Sequence, residues 1–326
     1  MLPKIHRERF MTTPIAAIQA YAQSQGVAPA DPLRQPLAQA RDKASRYQAI
    51  WNHDLPEIAR RQDIAVGRLR LRLFDSQTAE STNRPVLVYF HGGGFALNNL
   101  DTHERLLRLL ALKSGVAVLA LGYSLAPEVR FPGQLNEALE TLSWLRRHGS
   151  EHGLDGSNFA VGGDSAGANL ALAVTLASRD IGLPLPRFGL MLYGMFSADL
   201  ESASHRSFGT GAHGLTSERV DWFWSQYLAD RAQRDNPLAA PLLADLEGLP
   251  AQLVIGAGQD CLLDDSLNLA RKLERAGVPT TLSVYDDAPH SFMQMTSLLE
   301  VAVQAVDQAA QAVAQVLLLP FRLAAE

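Results

Sequence analysis

Cysteine is nearly absent: Cys261 is the only one among 326 residues. A single thiol excludes an intramolecular disulfide and suits a reducing cytoplasm. An excess of positive charge is also missing, since 29 Lys and Arg stand against 34 Asp and Glu for a formal net charge of −5. No electrostatic footprint for nucleic acid is therefore available. Arg68, Arg70 and Arg72 alternate with leucines, but that is the period of a strand with one wet face. Long apolar runs are lacking too. Behind the basic Lys4, His6, Arg7 and Arg9, the residues Gln19, Gln23 and Gln25 break the hydrophobic core that a signal peptide needs. Residues 301–319 are apolar but carry Gln304, Asp307, Gln308, Gln311 and Gln315, the pattern of a packed helix with a polar stripe and not of a membrane span. No His and Cys cluster has structural-zinc spacing. These absences predict a cytoplasmic protein with no metal, cofactor, nucleic-acid or membrane partner.

A hydrophobic content of 47% with 19% charged residues lets a chain of this length build one large α/β domain with a lid, in preference to two independent domains. The first 55 residues read as helical and irregular, punctuated by Pro14, Pro29, Pro32 and Pro36. From about residue 62 the texture changes. Apolar, β-branched runs at 64–74, 86–90, 116–121, 159–162, 188–193, 252–256 and 281–285 predict strands. Helical patterns at 133–147, 166–178, 264–276 and about 298–318 lie between or after them. This alternation is the signature of βαβ units around a mostly parallel sheet. One insertion, about 197–234, interrupts the rhythm and contains Val220-Asp-Trp-Phe-Trp-Ser-Gln-Tyr227. It follows a strand's C-terminal end, so a lid above the sheet is expected, shared with the N-terminal segment. For any single aromatic here an ordinary core helix is an equally good account.

The most informative local feature is Gly163-Asp-Ser-Ala-Gly167, set between the apolar run ending at Val161 and the helix formers that start at Ala168. A serine in a strand–turn–helix setting with glycine two residues to either side reads as a nucleophile elbow. The helix that follows aims unpaired N–H groups and its positive dipole end at the same spot. A serine hydroxyl needs a base, usually a histidine held in one tautomer by a carboxylate. Asp260 follows the strand at 252–256, and His290 follows the strand at 281–285. The order Ser, Asp, His and the placement past strand C-termini are those of an α/β-hydrolase site. An oxyanion hole needs unobstructed backbone N–H groups, and His91-Gly-Gly-Gly-Phe95 follows the strand at 86–90.

His91-Gly-Gly-Gly-Phe95, Tyr123-Ser-Leu-Ala-Pro-Glu128 with Phe131-Pro132, Gly163-Asp-Ser-Ala-Gly167, Asp260-Cys-Leu-Leu-Asp264 and His290-Ser-Phe292 together resemble the bacterial hormone-sensitive-lipase family of esterases. The resemblance spans roughly residues 60–318. It implies an α/β-hydrolase fold, a mostly parallel central sheet flanked by helices, with 1–55 as a helical cap segment and 56–326 as the catalytic domain. It implies Ser165 as nucleophile, His290 as general base and then acid, Asp260 as orienting carboxylate, and the amides of Gly93, Gly94 and Ala166 as oxyanion donors. Ser124, Cys261 and Ala240 stand where the family usually has arginine, proline and often serine. None of these departures removes a catalytic group.

Competitors exist for each role. Asp264 and Asp265 lie near Asp260 but are expected to open the following helix. His205 and His213 in the insertion read as surface residues, His6, His53, His103, His148 and His152 as solvated, and His91 as an anchor for the glycine loop. Glu128 and Asp164 are placed to hydrogen-bond loops of the site, and Cys261 to fill a small buried space. Phe95, Met195 and Phe196, with the aromatic lid helix, are expected to wall an apolar substrate pocket. The expected activity is hydrolysis of short- to medium-chain acyl esters through an acyl-enzyme. Alternatives are a non-catalytic small-molecule-binding protein on a hydrolase scaffold, an amide or lactone hydrolase, or an acyltransferase with the same triad. The resemblance also implies pairing into a homodimer, for which residues 281–285 could present a sheet edge.

Overall fold

The structure, a computed structural model, describes residues 13–78 and 81–319. His6 and the basic start of the chain lie outside the described residues. Two helices, α1 (Pro14–Ser24) and α2 (Leu37–Ala49), precede the sheet. The strands are β1 (Arg60–Val66), β2 (Leu69–Asp75), β3 (Arg84–Phe90), β4 (Ala117–Leu121), β5 (Leu154–Asp164), β6 (Phe188–Leu192), β7 (Ala251–Gln259) and β8 (Thr280–Pro289). Between and after them run α3 (Glu104–Ser114), α4 (Gly133–His148), α5 (Ala166–Asp180), α6 (Ala203–Phe208), α7 (Ser217–Tyr227), α8 (Leu263–Arg275) and α9 (Glu300–Leu317).

The strands form one sheet in the order β1-β2-β4-β3-β5-β6-β7-β8, parallel from β4 to β8. β2 joins β4 antiparallel, and β1 joins β2 antiparallel. The arginine-bearing run at 64–74, expected as one strand, is therefore the two arms of a hairpin. Val66 pairs with Leu69 across a two-residue turn, and Gly67, at φ +56°, supplies the backbone conformation that such a turn favours. The helix α3 also escapes the periodicity reading, although Leu106, Leu107, Leu110 and Ala111 form a single buried face.

Alternation along β3 shows how the sheet is sandwiched. Val86, Val88 and Phe90 join one apolar cluster with α4, α5 and α8, while Leu87 and Tyr89 join the other with α3 and α9. A strand buried on both faces reads as a continuous apolar run, and each such side chain contributes about 1.5–3 kcal/mol on leaving water. Among the described residues, no helix is long and apolar enough to cross a membrane.

Both α2 and α7 sit at the end of the sheet where the parallel strands finish. Arg41 of α2 holds that position through side-chain bonds: its Nε and Nη2 donate to the carbonyls of Ala96 (2.9 Å) and Ala126 (2.8 Å), and its fork grips Glu128 at 2.7 Å on both oxygens. Glu128, expected to hydrogen-bond a loop of the site, is instead bound by Arg41 of α2. Removing the fork in Arg41→Ala is expected to cost about 1–3 kcal/mol. Most of that comes from the part-buried carbonyl bonds, because the Glu128 partner is largely exposed and screened. Thermal unfolding together with amide exchange across residues 37–49 checks this: faster exchange confined to α2 is expected, and unchanged exchange there contradicts the role.

Candidate active site

Ser165 sits between β5 and α5 with φ 55° and ψ −119°, a backbone state that costs about 1–3 kcal/mol and persists only where packing imposes it. The packing is visible in the two glycines of the motif. A Cβ at Gly167 would overlap the Phe90 carbonyl, and one at Gly163 would overlap the backbone of Gly167 and the same carbonyl. The turn is further fastened by Ser165 N–H to the Leu192 carbonyl (2.9 Å) and Met195 N–H to the Ser165 carbonyl (3.2 Å).

His290 follows β8, and its Nε2 lies 3.0 Å from Ser165 Oγ. Its Nδ1 lies 2.6 Å from Oδ2 of Asp260 at the end of β7. Asp260 is buried, and its other oxygen accepts the Leu262 N–H at 3.1 Å. With Nδ1–H donating to the carboxylate, Nε2 is left as the acceptor for the serine proton. The two competing carboxylates are engaged elsewhere. Asp264 accepts the Ser204 N–H at 2.9 Å, and Asp265 accepts the N–H groups of Phe196 and Ser197 at 2.7 and 2.8 Å. Burial pushes the Asp265 carboxyl up to about 8 in spite of these two donors.

The glycine loop lies opposite. Gly93 and Gly94 line the cavity with Ser165 and His290, and Ala166 provides the first amide of α5, which has no acceptor within its helix. Gly94 has φ +60° and lies against the Phe223 ring, which a Cβ would overlap. The loop is tied to the elbow by Asp164, whose Oδ1 accepts Tyr89 O–H (2.9 Å) and Gly92 N–H (3.0 Å). Burial alone would raise the Asp164 carboxyl, but the His103 ring and the bonds from His103 and Tyr89 hold it below its ordinary value.

Several histidine expectations need correction. His103 is buried, with Nε2 3.3 Å from Asp164 and Nδ1 2.9 Å from the Thr102 hydroxyl, so it is part of the framework and not solvated. His205 is buried against Ser217 Oγ at 2.8 Å, where a surface residue was expected, because α6 and α7 pack together around it. His91 does anchor its loop: its ring stacks on Tyr123 at 4.2 Å, and Nδ1–H donates to the Gly92 carbonyl at 2.9 Å. The departures from the family pattern are absorbed locally. Ser124 gives both N–H and Oγ–H to Glu137 at 2.7 Å, while Ala240 and Cys261 are buried.

The cavity above Ser165 has a volume of about 160 Å³. Its apolar wall includes Leu97, Leu215, Phe223 and Met295, and its polar residues include Tyr47, Gln48 and Arg219. Phe95, Met195 and Phe196, expected as the pocket wall, do not line it and are fully buried. Phe95 turns inward to stack on Tyr227 of α7 at 3.7 Å, which ties that helix to the glycine loop. Helix α7 divides its aromatics: Trp224 and Tyr227 are core, while Phe223 faces the cavity. Phe223 belonged to the aromatic run, but nothing in the spacing singled out Arg219 or Tyr47. Among the described residues, no three His, Cys, Asp or Glu side chains gather as a metal site.

A family model described as alpha/beta hydrolase fold matches residues 87–294. An acetyl esterase from Salmonella paratyphi B is 34% identical over 271 residues, covering 80% of this chain and 82% of that protein. Among solved structures, an ester-hydrolase from the metagenome of Lake Arreo, complexed with a derivative of bipyridine phosphonate, is 32% identical with a TM-score of 0.85. It covers 94% of this chain and 98% of its own. A hyperthermophilic esterase from Pyrobaculum calidifontis is 30% identical with a TM-score of 0.85, covering 93% of this chain and 98% of its own.

His91 makes the framework sensitive to acid. Burial, reinforced by the neighbouring His103, pushes its imidazole down to about 3 from an ordinary 6.5. As pH falls below 6.5 the unfolded chain takes up a proton that the folded state refuses, so stability is lost progressively toward pH 3. The variant His91→Phe should show a shallower fall of Tm between pH 6.5 and 4 than the parent, whatever its absolute Tm. Equal slopes in the two proteins would remove His91 from this account.

Proposed function

The chain belongs to the alpha/beta hydrolase fold family and is a carboxylic ester hydrolase, and on that premise we propose that Ser165, His290 and Asp260 carry its chemistry. The observation that bears the reading is the continuous relay from Ser165 Oγ to His290 Nε2 (3.0 Å) and from Nδ1 to buried Asp260 (2.6 Å). Ser165 Oγ attacks the ester carbonyl as His290 Nε2 takes its proton. The amides of Gly93 and Gly94, on a loop that lines the same cavity as Ser165, and of Ala166 at the start of α5 receive the oxyanion. The tetrahedral intermediate then expels the alcohol, which leaves with the proton held by His290. Water, deprotonated by the same nitrogen, attacks the acyl-Ser165 ester and releases the acid.

The substrate reading is a short- to medium-chain acyl ester. It is supported by a cavity of about 160 Å³, well below the ~300–1,000 Å³ of drug-sized sites, and by the relative named acetyl esterase. Residues 1–55 act as a cap segment and about 197–234 as a cap insertion over the catalytic domain, 56–326. The support is that cavity-lining residues come from α2, α7 and the sheet's end together. A cytoplasmic location rests on the single cysteine. Pairing into a homodimer rests on β8, which is an outer strand of the sheet.

In a 4-nitrophenyl ester series from acetate to palmitate, turnover is expected to peak at short or medium chains. It should fall by about 10⁴-fold or more in Ser165→Ala. A histidine base works only in its neutral form, so activity on the best ester should decline on acidification. Undiminished turnover in Ser165→Ala, or a rate flat well below neutral pH, contradicts the assignment. Sedimentation at micromolar protein that shows only monomer contradicts the dimer.

A further inference from the structure

Arg219 lines the cavity that holds Ser165 and His290, and its guanidinium has no hydrogen-bond or ion-pair partner among the described residues. Its Nε is buried without an acceptor. The group is oriented by the Phe223 ring, one turn further along α7, with the guanidinium carbon 6.0 Å from the ring centroid. Burial lowers the proton affinity of this arginine, and the attraction of Asp31 opposes that only from beyond ion-pair range. Asp31 itself pairs with Arg34 at 3.6 Å. No Asp or Glu is among the residues lining the cavity. Tyr47 and Gln48 of α2 line the same cavity.

An arginine stays charged at any working pH. Leaving a partly desolvated cation without a counter-charge is costly, and a pocket wall that bears this cost recovers it when an anion arrives. The planar fork fits a carboxylate with two parallel bonds. Building on the ester-hydrolase reading above, we propose that the substrate is an ester carrying a carboxylate on the group seated in this cavity, received by Arg219, with Tyr47 and Gln48 lining the same cavity. Arg219 is then a specificity-determining residue. Its anion-binding role is separate from the bond-breaking step, and the apolar remainder of the wall holds the short carbon chain between the two.

Two isosteric pairs test this, each measured as kcat/KM by titration of released acid. Monomethyl succinate against methyl 4-methylpentanoate places the carboxylate on the acyl side. The pair 3-acetoxypropanoate and 3-methylbutyl acetate places it on the alcohol side. In at least one pair, the anionic-to-neutral ratio is expected to fall about tenfold or more in Arg219→Met, with part of it restored in Arg219→Lys. In the parent protein the same ratio should decline as salt rises from low concentration to 1 M. That salt arm keeps the proposal testable even where Arg219→Met folds poorly. Ratios in both pairs that are unmoved by the substitutions and by salt overturn it. Ser165→Ala, run on the neutral esters, reads the nucleophile separately: turnover that survives there defeats the triad assignment without touching the ratio.

Discussion

Gly167 has no side chain, and the carbonyl of Phe90 occupies the space where one would begin. This contact brings the start of α5 against the end of β3, and the remaining geometry of the site follows from it. Ser165 is forced into its positive φ, so its hydroxyl stands above the sheet and faces the histidine beyond β8. The loop after β3 then starts beside the elbow, where buried Asp164 binds the Gly92 amide and the Tyr89 hydroxyl. Ser165 and the glycine loop are therefore parts of one rigid unit. Their relative position is set by backbone packing and one desolvated carboxylate, which is the kind of preorganisation that oxyanion stabilisation requires.

The roof of the site is held by different forces. The Phe95–Tyr227 stack and the close fit of Phe223 over Gly94 bring α7 down onto the glycine loop, while the Arg41 fork draws α2 onto the neighbouring carbonyls. The catalytic floor is a sheet buried on both faces, but the roof is two short helices joined to it through a few aromatic and ionic contacts. A roof built this way can differ between proteins that keep the same floor. Three of the residues that line the cavity, Arg219, Tyr47 and Phe223, lie on it.

The relay residues were legible in the sequence because each belongs to a short motif with a local cause. A serine between two glycines, an aspartate just past β7 and a histidine just past β8 announce themselves by their neighbours along the chain. The strands were legible for the same reason, apart from the hairpin at Gly67, where one continuous alternating pattern conceals a reversal. What could not be read depended on contacts between distant segments. His103 looks polar and exposed in its own stretch, yet its partner Asp164 is 61 residues away. Phe95, Met195 and Phe196 stand next to catalytic loops in the chain, but packing turns them into the core. Arg219 is an ordinary helix residue until α2 and the glycine loop close around it.

The most direct test of the central claim is covalent trapping of the nucleophile by a small alkyl phosphonate ester, with the modified peptide identified by mass spectrometry. Labelling of a single site at Ser165, abolished in Ser165→Ala and greatly slowed in His290→Ala, is the predicted result. Labelling at another serine, or labelling of Ser165 at the same rate without His290, would contradict the account.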